Sequence, residues 1–290
     1  MPRNPPNKTC APIPSTKTYD YIIVGAGAAG LPLADRLTAA GRTVLVLEKG
    51  PPSSGKWGGN IKTDWLRNGT NNTLSVFDVP GLAQAWLNKN ATSVHCDDTV
   101  QPLGCLLGGG AEIGPALWWK PHPLDWESFP SGWKANDMAA ATNRAFQRIP
   151  AATITSKDNR LYQEAGFDVV ASGLNSSGYK FIVPNDQPDQ RNHVYGRGQF
   201  MVSNGERSGP VGTYLASASQ RSQLTVWMNS PVRRLVRNGG HITGVELECN
   251  NGYEGVVSVT PGTGRVILSA GTFGSAKVLL RSMLSSAFAS

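Results

Sequence analysis

Cysteine and histidine are both scarce in this chain, four of each among 290 residues, and their placement excludes whole classes of function. His95, His122, His193 and His241 are dispersed, and no Cys/His spacing of the zinc-ligating kind occurs, so no metal is expected. Long hydrophobic runs are also missing. No stretch approaches the roughly 20 apolar residues of a membrane-spanning helix, so no membrane partner is expected. Residues 1–18, MPRNPPNKTCAPIPSTKT, contain no apolar segment of the signal-peptide type, and their Pro, Asn, Ser and Thr content reads as a linker. Basic residues outnumber acidic ones, 27 to 20, but are scattered. The nearest clusters, Arg233, Arg234 and Arg237, and residues 56–67, are not interleaved with aromatics, which argues against a nucleic-acid face. The length allows one large domain or two small ones, with ample apolar content for a core.

The richest stretch lies between Tyr19 and Glu48. Tyr21, Ile22, Ile23 and Val24 read as a buried parallel strand, and the turn after it carries Gly25, Gly27 and Gly30 around Ala28 and Ala29 in GxGxxG spacing. In such a turn the first glycine lets the chain turn tightly, the second clears space for a pyrophosphate, and the third lets the helix pack close to the strand. Phosphate oxygens then meet free backbone N–H groups and the positive end of the helix dipole. Leu31, Ala34, Leu37 and Thr38 keep one helix face apolar, Gly41 stops the helix, and a strand over 43–47 follows. Glu48 stands where a carboxylate accepts both hydroxyls of an adenosine ribose and repels a 2′-phosphate, with Lys49 beside it. An adenine dinucleotide is the expected ligand, and NAD and FAD present the same ADP moiety to this unit.

Beyond Glu48 the pattern loosens, then a helix is expected over 81–89. Residues 104–121 read GCLLGGGAEIGPALWWKP, with Gly108, Gly109 and Gly110 consecutive. Such a run exposes backbone on which a flat ring or a phosphate can lie, and the apolar flanks Leu106, Leu107, Ile113 and Leu117 predict a buried position. The middle of the chain has a different texture, with helices expected over 135–148 and 159–173. Trp118, Trp119, Trp126 and Trp133 near its entrance are candidates for stacking on a pyranose ring or for simple core. A helix start is signalled at Gly209 and Pro210. Strands follow over 224–228, 232–236, 242–248 and 255–260, with turns such as Asn238-Gly239-Gly240 suggesting an antiparallel meander. The last strand, in RVILSAG from Arg265 to Gly271, reads instead as a buried strand returning to the first sheet, where Ser269, Ala270 and Gly271 permit close approach to the dinucleotide; a helix over 272–284 follows.

Four cysteines allow two disulfides. Cys96 and Cys105 flank a short segment able to fold back and are the expected bridge, whereas Cys10 and Cys249 have no evident mates. Sequons at Asn7, Asn68, Asn71, Asn90 and Asn175 favour a secreted glycoprotein.

Taken together, Tyr19 to Glu48, GCLLGGGAEIGPALWWKP and GRVILSAGTFG resemble the glucose-methanol-choline (GMC) family of FAD-dependent oxidoreductases, from Tyr19 to Ser282. Through GCLLGGG, ALWWKP, RSGPVGTYL and the Cys96–Cys105 spacing the likeness is nearest to flavodehydrogenase domains of the cellobiose dehydrogenase type, whose linker to a haem domain residues 1–18 also resemble. The resemblance implies FAD as cofactor and an α/β fold: a Rossmann-like FAD-binding domain with parallel sheet and antiparallel meander over 19–125 and 208–284. It further implies part of a substrate domain over 126–207, and 285–290 reads as a tail. Gly25, Gly27, Gly30 and Glu48 would hold the ADP half, and Val232 would meet the adenine through its backbone. Gly108 to Ala111 and Ala116, Leu117 and Trp118 would line the isoalloxazine, with Ser269 to Gly271 closing the pyrophosphate side. The family usually carries Asn or His where this chain has Gly114, and a small hydroxyl residue at Ala111, so a polar group at the reactive flavin edge is missing here.

The resemblance also implies a chemistry in which a late C-terminal histidine removes an alcohol proton while hydride passes to flavin N5, taking a sugar hemiacetal to a lactone. After Ser282 the chain reads MLSSAFAS and carries no such segment. A C-terminally truncated form is therefore expected, with none of its four histidines assigned to catalysis. The implied partners are a sugar or alcohol substrate and, as electron acceptor, a quinone, a metal complex or a haem domain.

Overall fold

The computed structural model describes residues 17–69, 73–90, 94–99, 103–162, 164–248 and 254–283. It divides into two compact units, one of Met1–Asp78, Leu82–Ile113 and Pro210–Ser290, the other of Val79–Gly81 and Gly114–Gly209. Cys10 and Cys249 lie outside the described residues, as do all or part of the sequons at Asn7, Asn68, Asn71 and Asn90.

The first unit is built on a four-stranded parallel sheet in the order Arg265–Leu268, Tyr21–Val24, Val44–Leu47, Leu224–Trp227. Its central strands are apolar at consecutive positions because both faces are covered. Alternation sorts their side chains into two cores. Ile23, Val44 and Val46 pack with Leu31 and Ala34 of helix Gly30–Ala39 and with Leu107, Val211 and Leu215. Ile22, Val24, Leu45 and Leu47 pack on the opposite face with Leu235, Val245, Leu247, Val257 and Val278. Each such fully buried aliphatic side chain contributes about 1.5–3 kcal/mol, so the two cores account for much of the unit's hydrophobic stabilisation.

The second sheet runs Thr18–Tyr19, Glu254–Val259, His241–Glu248, Val232–Asn238, antiparallel except for the parallel pair at Thr18 and Tyr19. Asn238 faces His241 across the two-residue turn Gly239-Gly240, a tight hairpin of the kind the sequence predicts. The expected meander needs one correction. Leu224–Trp227 is not a member of it but the edge strand of the parallel sheet, bound in register to Val44–Leu47. A strand-forming run states its own periodicity, whereas the sheet it joins depends on the connection, here the π-helical turn Val211–Leu215 and helix Ala216–Ala218 packed on Gly30–Ala39. The predicted strand over 43–47 begins at Val44, because the Thr43 N–H and hydroxyl are taken by the Asp20 carboxylate. Helix Leu82–Asn90 lies one residue beyond its predicted span, and helix Gly271–Met283 closes the unit over the Val232–Asn238 strand, its Ser282 hydroxyl accepting the Leu235 N–H at 2.8 Å.

In the second unit helix Ala135–Arg148 has its predicted bounds, and neither it nor helix Glu164–Ser176 buries a residue. The latter was expected over 159–173 and starts later. Asn159 adopts a left-handed φ of 57° and the Ser156 hydroxyl takes the Arg160 N–H, so the chain turns where the helix was to begin. Paired strands Lys180–Phe181 with Val194–Tyr195, and Val202–Ser203 with Glu206–Arg207, complete this unit. No helix among the described residues is long and apolar enough to cross a membrane.

Candidate dinucleotide site

At the carboxyl ends of the parallel strands the first unit brings together five separate stretches of chain. Gly25 leaves the Tyr21–Val24 strand with φ of 98°, its N–H bound to Leu47 O at 2.8 Å. A Cβ there would stand 2.6 Å from Ser269 O and 2.7 Å from the Ala270 Cα, so the returning segment Ser269–Ala270 is in contact with the turn. The Ser269 hydroxyl donates to Gly25 O at 2.9 Å and Val24 O at 3.1 Å. At Gly30 a Cβ would meet Gly25 O at 2.2 Å, which is the close helix-to-strand packing expected of the third glycine. Gly27 differs from both. A Cβ on it would find only Ser269 O, at 4.0 Å, and Ala28 and Ala29 are exposed. Helix Gly30–Ala39 begins there with no side-chain cap and no acidic residue in its first turn, leaving N–H groups and the dipole to an anion. The space over Gly27 thus fits a pyrophosphate sterically and electrostatically.

Glu48 continues from the Val44–Leu47 strand and is buried, 6% exposed. Its two carboxylate oxygens are used separately, Oε2 accepting Ala26 N–H at 2.9 Å and Oε1 accepting Gly50 N–H at 2.8 Å. The Lys49 backbone N–H is a third donor to this carboxylate, and of its roughly four acceptor sites the remainder is left for a ribose hydroxyl. Burial pushes the Glu48 carboxyl above the ordinary value, against the hydrogen bonds from Gly50 and Ala26 that favour its charge. The segment leading into Val232 lies alongside, with Ser230 N–H on Glu48 O at 2.8 Å and Asn229 N–H on Gly50 O at 3.0 Å. Val232 therefore starts its strand two residues after Ser230, whose N–H meets the Glu48 main-chain carbonyl. Lys49 is engaged elsewhere, its ammonium bridging Asp97 at 3.0 Å and Asp98 at 2.8 Å. Hydrogen bonds and charge from these acids outweigh its partial burial and raise its pKa.

The glycine block also arrives at the first turn. Gly108 N–H donates to Ala26 O at 2.8 Å, and a Cβ on Gly109 would lie 3.5 Å from the Gly27 Cα. Gly110 and Ala111 open the short helix Gly110–Ile113. Leu106 and Leu107 are fully buried, but Leu117 is 47% exposed, against expectation; it falls after the block, in the second unit, where a β-bridge to Phe200 leaves its side chain outward. Gly114, Ala116, Leu117 and Trp118 all belong to that unit. There the Arg207 guanidinium donates to Gly114 O, Met201 N–H to Ala116 O and Trp118 N–H to Gln199 O. Ala116 holds a φ of 61°, a strained conformation for a residue with a Cβ. Trp118 is partly buried: it stacks on Phe146 at 4.5 Å and donates Nε1–H to Ile149 O. Trp119 and Trp133 are about half exposed, 49% and 54%, and the Arg191 guanidinium lies over the Trp119 ring.

Gly25, Gly27, Gly30, Glu48, Gly108, Gly109, Ser269 and Ala270 are thus brought together by direct contacts at the first turn, and the Cys96–Cys105 disulfide forms as expected. Sequence reasoning missed the Asn229-Ser230 backbone beside Glu48 and the acids that hold Lys49, since contacts between distant segments leave no local pattern. Among the described residues no group of His, Cys, Asp and Glu is placed to hold a metal ion.

A parallel sheet with a glycine turn, a strand-end acid and a returning strand at its carboxyl edge defines an adenine-dinucleotide-binding α/β protein. The model of the GMC oxidoreductase family matches residues 19–287, and the chain belongs to that family. The cofactor of this site is accordingly FAD. The chain is 30% identical over 303 residues to "Dehydrogenase eriK" of Hericium erinaceus, covering 93% of this chain and 48% of that protein. It is 29% identical over 287 residues to "Oxygen-dependent choline dehydrogenase" of Photobacterium profundum, covering 90% and 46%. The chain therefore spans about half the length of the curated relatives it matches. Formate oxidase of Aspergillus oryzae shares the fold at TM-score 0.67 and 20% identity, over 93% of this chain and 48% of the other. Pyridoxine 4-oxidase of Mesorbium loti does so at TM-score 0.65 and 18% identity, over 91% and 52%.

Proposed function

We propose that this chain is the cofactor-holding part of an FAD-dependent oxidoreductase acting on CH–OH donors, and that its donor is a sugar of the cellobiose type, oxidised at the anomeric carbon to a lactone. The observation that carries the redox reading is the convergence of Gly109, Glu48 and Ser269 on the glycine turn Gly25–Gly27, whose Gly27 leaves its side-chain position open. When bound there, FAD supplies the two-electron acceptor for the donor's C–H bond. The chain's own residues then have separate tasks. The Gly27 turn and the helix after it hold the pyrophosphate, Glu48 takes the ribose hydroxyls, and the Gly108–Gly110 backbone supports the ring system. The half-exposed Trp133, and the face of Trp119 opposite the Arg191 guanidinium, support a sugar donor, because indole faces stack on the C–H faces of a pyranose.

No histidine of the chain is assigned as base. His95 lies in a bridge to Gly104, His122 caps the turn Pro123–Trp126, His193 stacks on Tyr179, and His241 sits at the Gly239-Gly240 hairpin. The base is assigned to the C-terminal part of the family, and the electron acceptor to a quinone, a metal complex or a haem domain. Secretion and glycosylation belong to the same proposal, supported by the exposed sequon Asn175 on helix Glu164–Ser176. A second reading, a non-sugar alcohol as donor, is favoured by the likeness to choline dehydrogenase.

Anaerobic mixing of a chain extended to the relatives' length with cellobiose, choline or benzyl alcohol separates the two. Bleaching of the flavin absorption by cellobiose alone is the expected result; bleaching by choline or benzyl alcohol but not the disaccharide moves the protein to the other branch. A 290-residue protein that binds flavin yet is reduced by no donor, extended or not, identifies a non-catalytic flavin carrier.

A further inference from the structure

The disulfide does more than close a short loop. Cys96 N–H bonds to Leu103 O and Cys105 N–H to Val94 O, both at 2.9 Å, so the bridge joins two antiparallel backbone segments. The second segment runs straight into Leu106, Leu107 and the Gly108–Gly110 cradle. It is also pressed against the acid turn: a Cβ on Gly50 would lie 2.0 Å from Cys105 O, and Leu107 N–H donates to Pro51 O at 2.9 Å. The first segment carries Asp98, whose carboxylate oxygens go to different lysines. Oδ1 meets the Lys49 ammonium at 2.8 Å, directly after Glu48, and Oδ2 meets the Lys277 ammonium at 2.8 Å, while Asp98 O accepts from the same Lys277 at 2.7 Å. Lys277 belongs to helix Gly271–Met283, which starts at the Ser269–Gly271 segment packed on Gly25.

We infer that Asp98 is a positioning residue for the dinucleotide: held by the disulfide-closed arm, it ties the Glu48 turn, the glycine cradle and the helix after Ser269 to one another, and so limits the opening of the site and the escape of FAD. The inference rests on the FAD reading of that site. Three walls of the space reach this arm, one by covalent continuity and two by ion pairs. The lysine hydrogen bonds and charges outweigh the partial burial of Asp98 and lower its carboxyl to about 2, so the clasp is charged throughout the neutral range.

The test compares wild type with Asp98→Asn, Asp98→Glu and Lys277→Met in the flavin-loaded protein. FAD release is followed by recovery of free-flavin fluorescence at low and high salt, with thermal unfolding of each apoprotein alongside. Expected are a Kd about threefold to tenfold weaker for Asp98→Asn and Lys277→Met at low salt, non-additive when combined, largely retained by Asp98→Glu, and a gap that narrows at high salt. An Asp98→Asn protein with wild-type Kd overturns the inference, as does a loss that ignores salt and merely follows a lower unfolding midpoint. Wild-type protein that takes up no flavin overturns the FAD reading itself, and the inference with it.

Discussion

Gly27→Ala tests whether the space over the glycine turn belongs to a ligand. In the protein alone the new methyl would find a single neighbour, Ser269 O at 4.0 Å, and the backbone at Gly27 is not left-handed. Apoprotein stability should therefore change little, with a gain of up to about 1 kcal/mol from the smaller entropy of the unfolded chain. With FAD the same methyl occupies space the pyrophosphate needs. Displacing the phosphates by even a fraction of a bond length forfeits charge-assisted hydrogen bonds to the helix N-terminus, worth about 1.5–3 kcal/mol each. A loss of one or two such bonds weakens binding by at least about tenfold to a hundredfold. Gly30→Ala is the opposite control, since its Cβ would stand 2.2 Å from Gly25 O and 2.7 Å from Ser269 Oγ. That overpacking costs about 1–3 kcal/mol or more in the apoprotein before any ligand is added. The assay is flavin titration by fluorescence quenching paired with thermal unfolding of both apoproteins. Wild-type FAD affinity in Gly27→Ala would show that no dinucleotide crosses this turn, and an apoprotein as damaged as Gly30→Ala would show that the space is not clear.

Two further predictions concern the arm beside the site. Replacing Cys96 and Cys105 together by alanine should cost about 2–3 kcal/mol in apoprotein stability, the loop-entropy value for a bridge across a sequence separation of 9; an unchanged denaturation midpoint counts against it. Because Asp98 is lowered to about 2 from an ordinary 3.8, its ion pairs contribute fully above about pH 4 and their contribution is lost as pH falls towards 2. Solvent around its 40% exposed side chain keeps that contribution to about 1 kcal/mol, so the wild-type minus Asp98→Asn difference in unfolding free energy should shrink across that window and stay flat from pH 5 to 7.

Local pattern was sufficient wherever one element's own chemistry decides the outcome. Tyr21–Val24, helix Gly30–Ala39 and the strand into Glu48 were legible, because apolar runs, glycine spacing and a terminal acid answer to backbone geometry and burial; Arg265–Leu268 was legible as a member of the first sheet because its continuous apolar run requires a sheet covered on both faces. The Cys96–Cys105 bridge was legible for a similar reason, its partners being near in the chain. Tertiary structure decided what depends on distant neighbours. It placed Leu224–Trp227 on the parallel sheet, stacked the partly buried Trp118 on Phe146 while leaving Trp119 half exposed, and turned Leu117 outward. It also gave Lys49 to Asp97 and Asp98, and joined Asp98 to Lys277, 179 residues away. A side chain's periodicity records which face it lies on; which group it meets there depends on how separate segments are brought together, and no residue carries that information by itself.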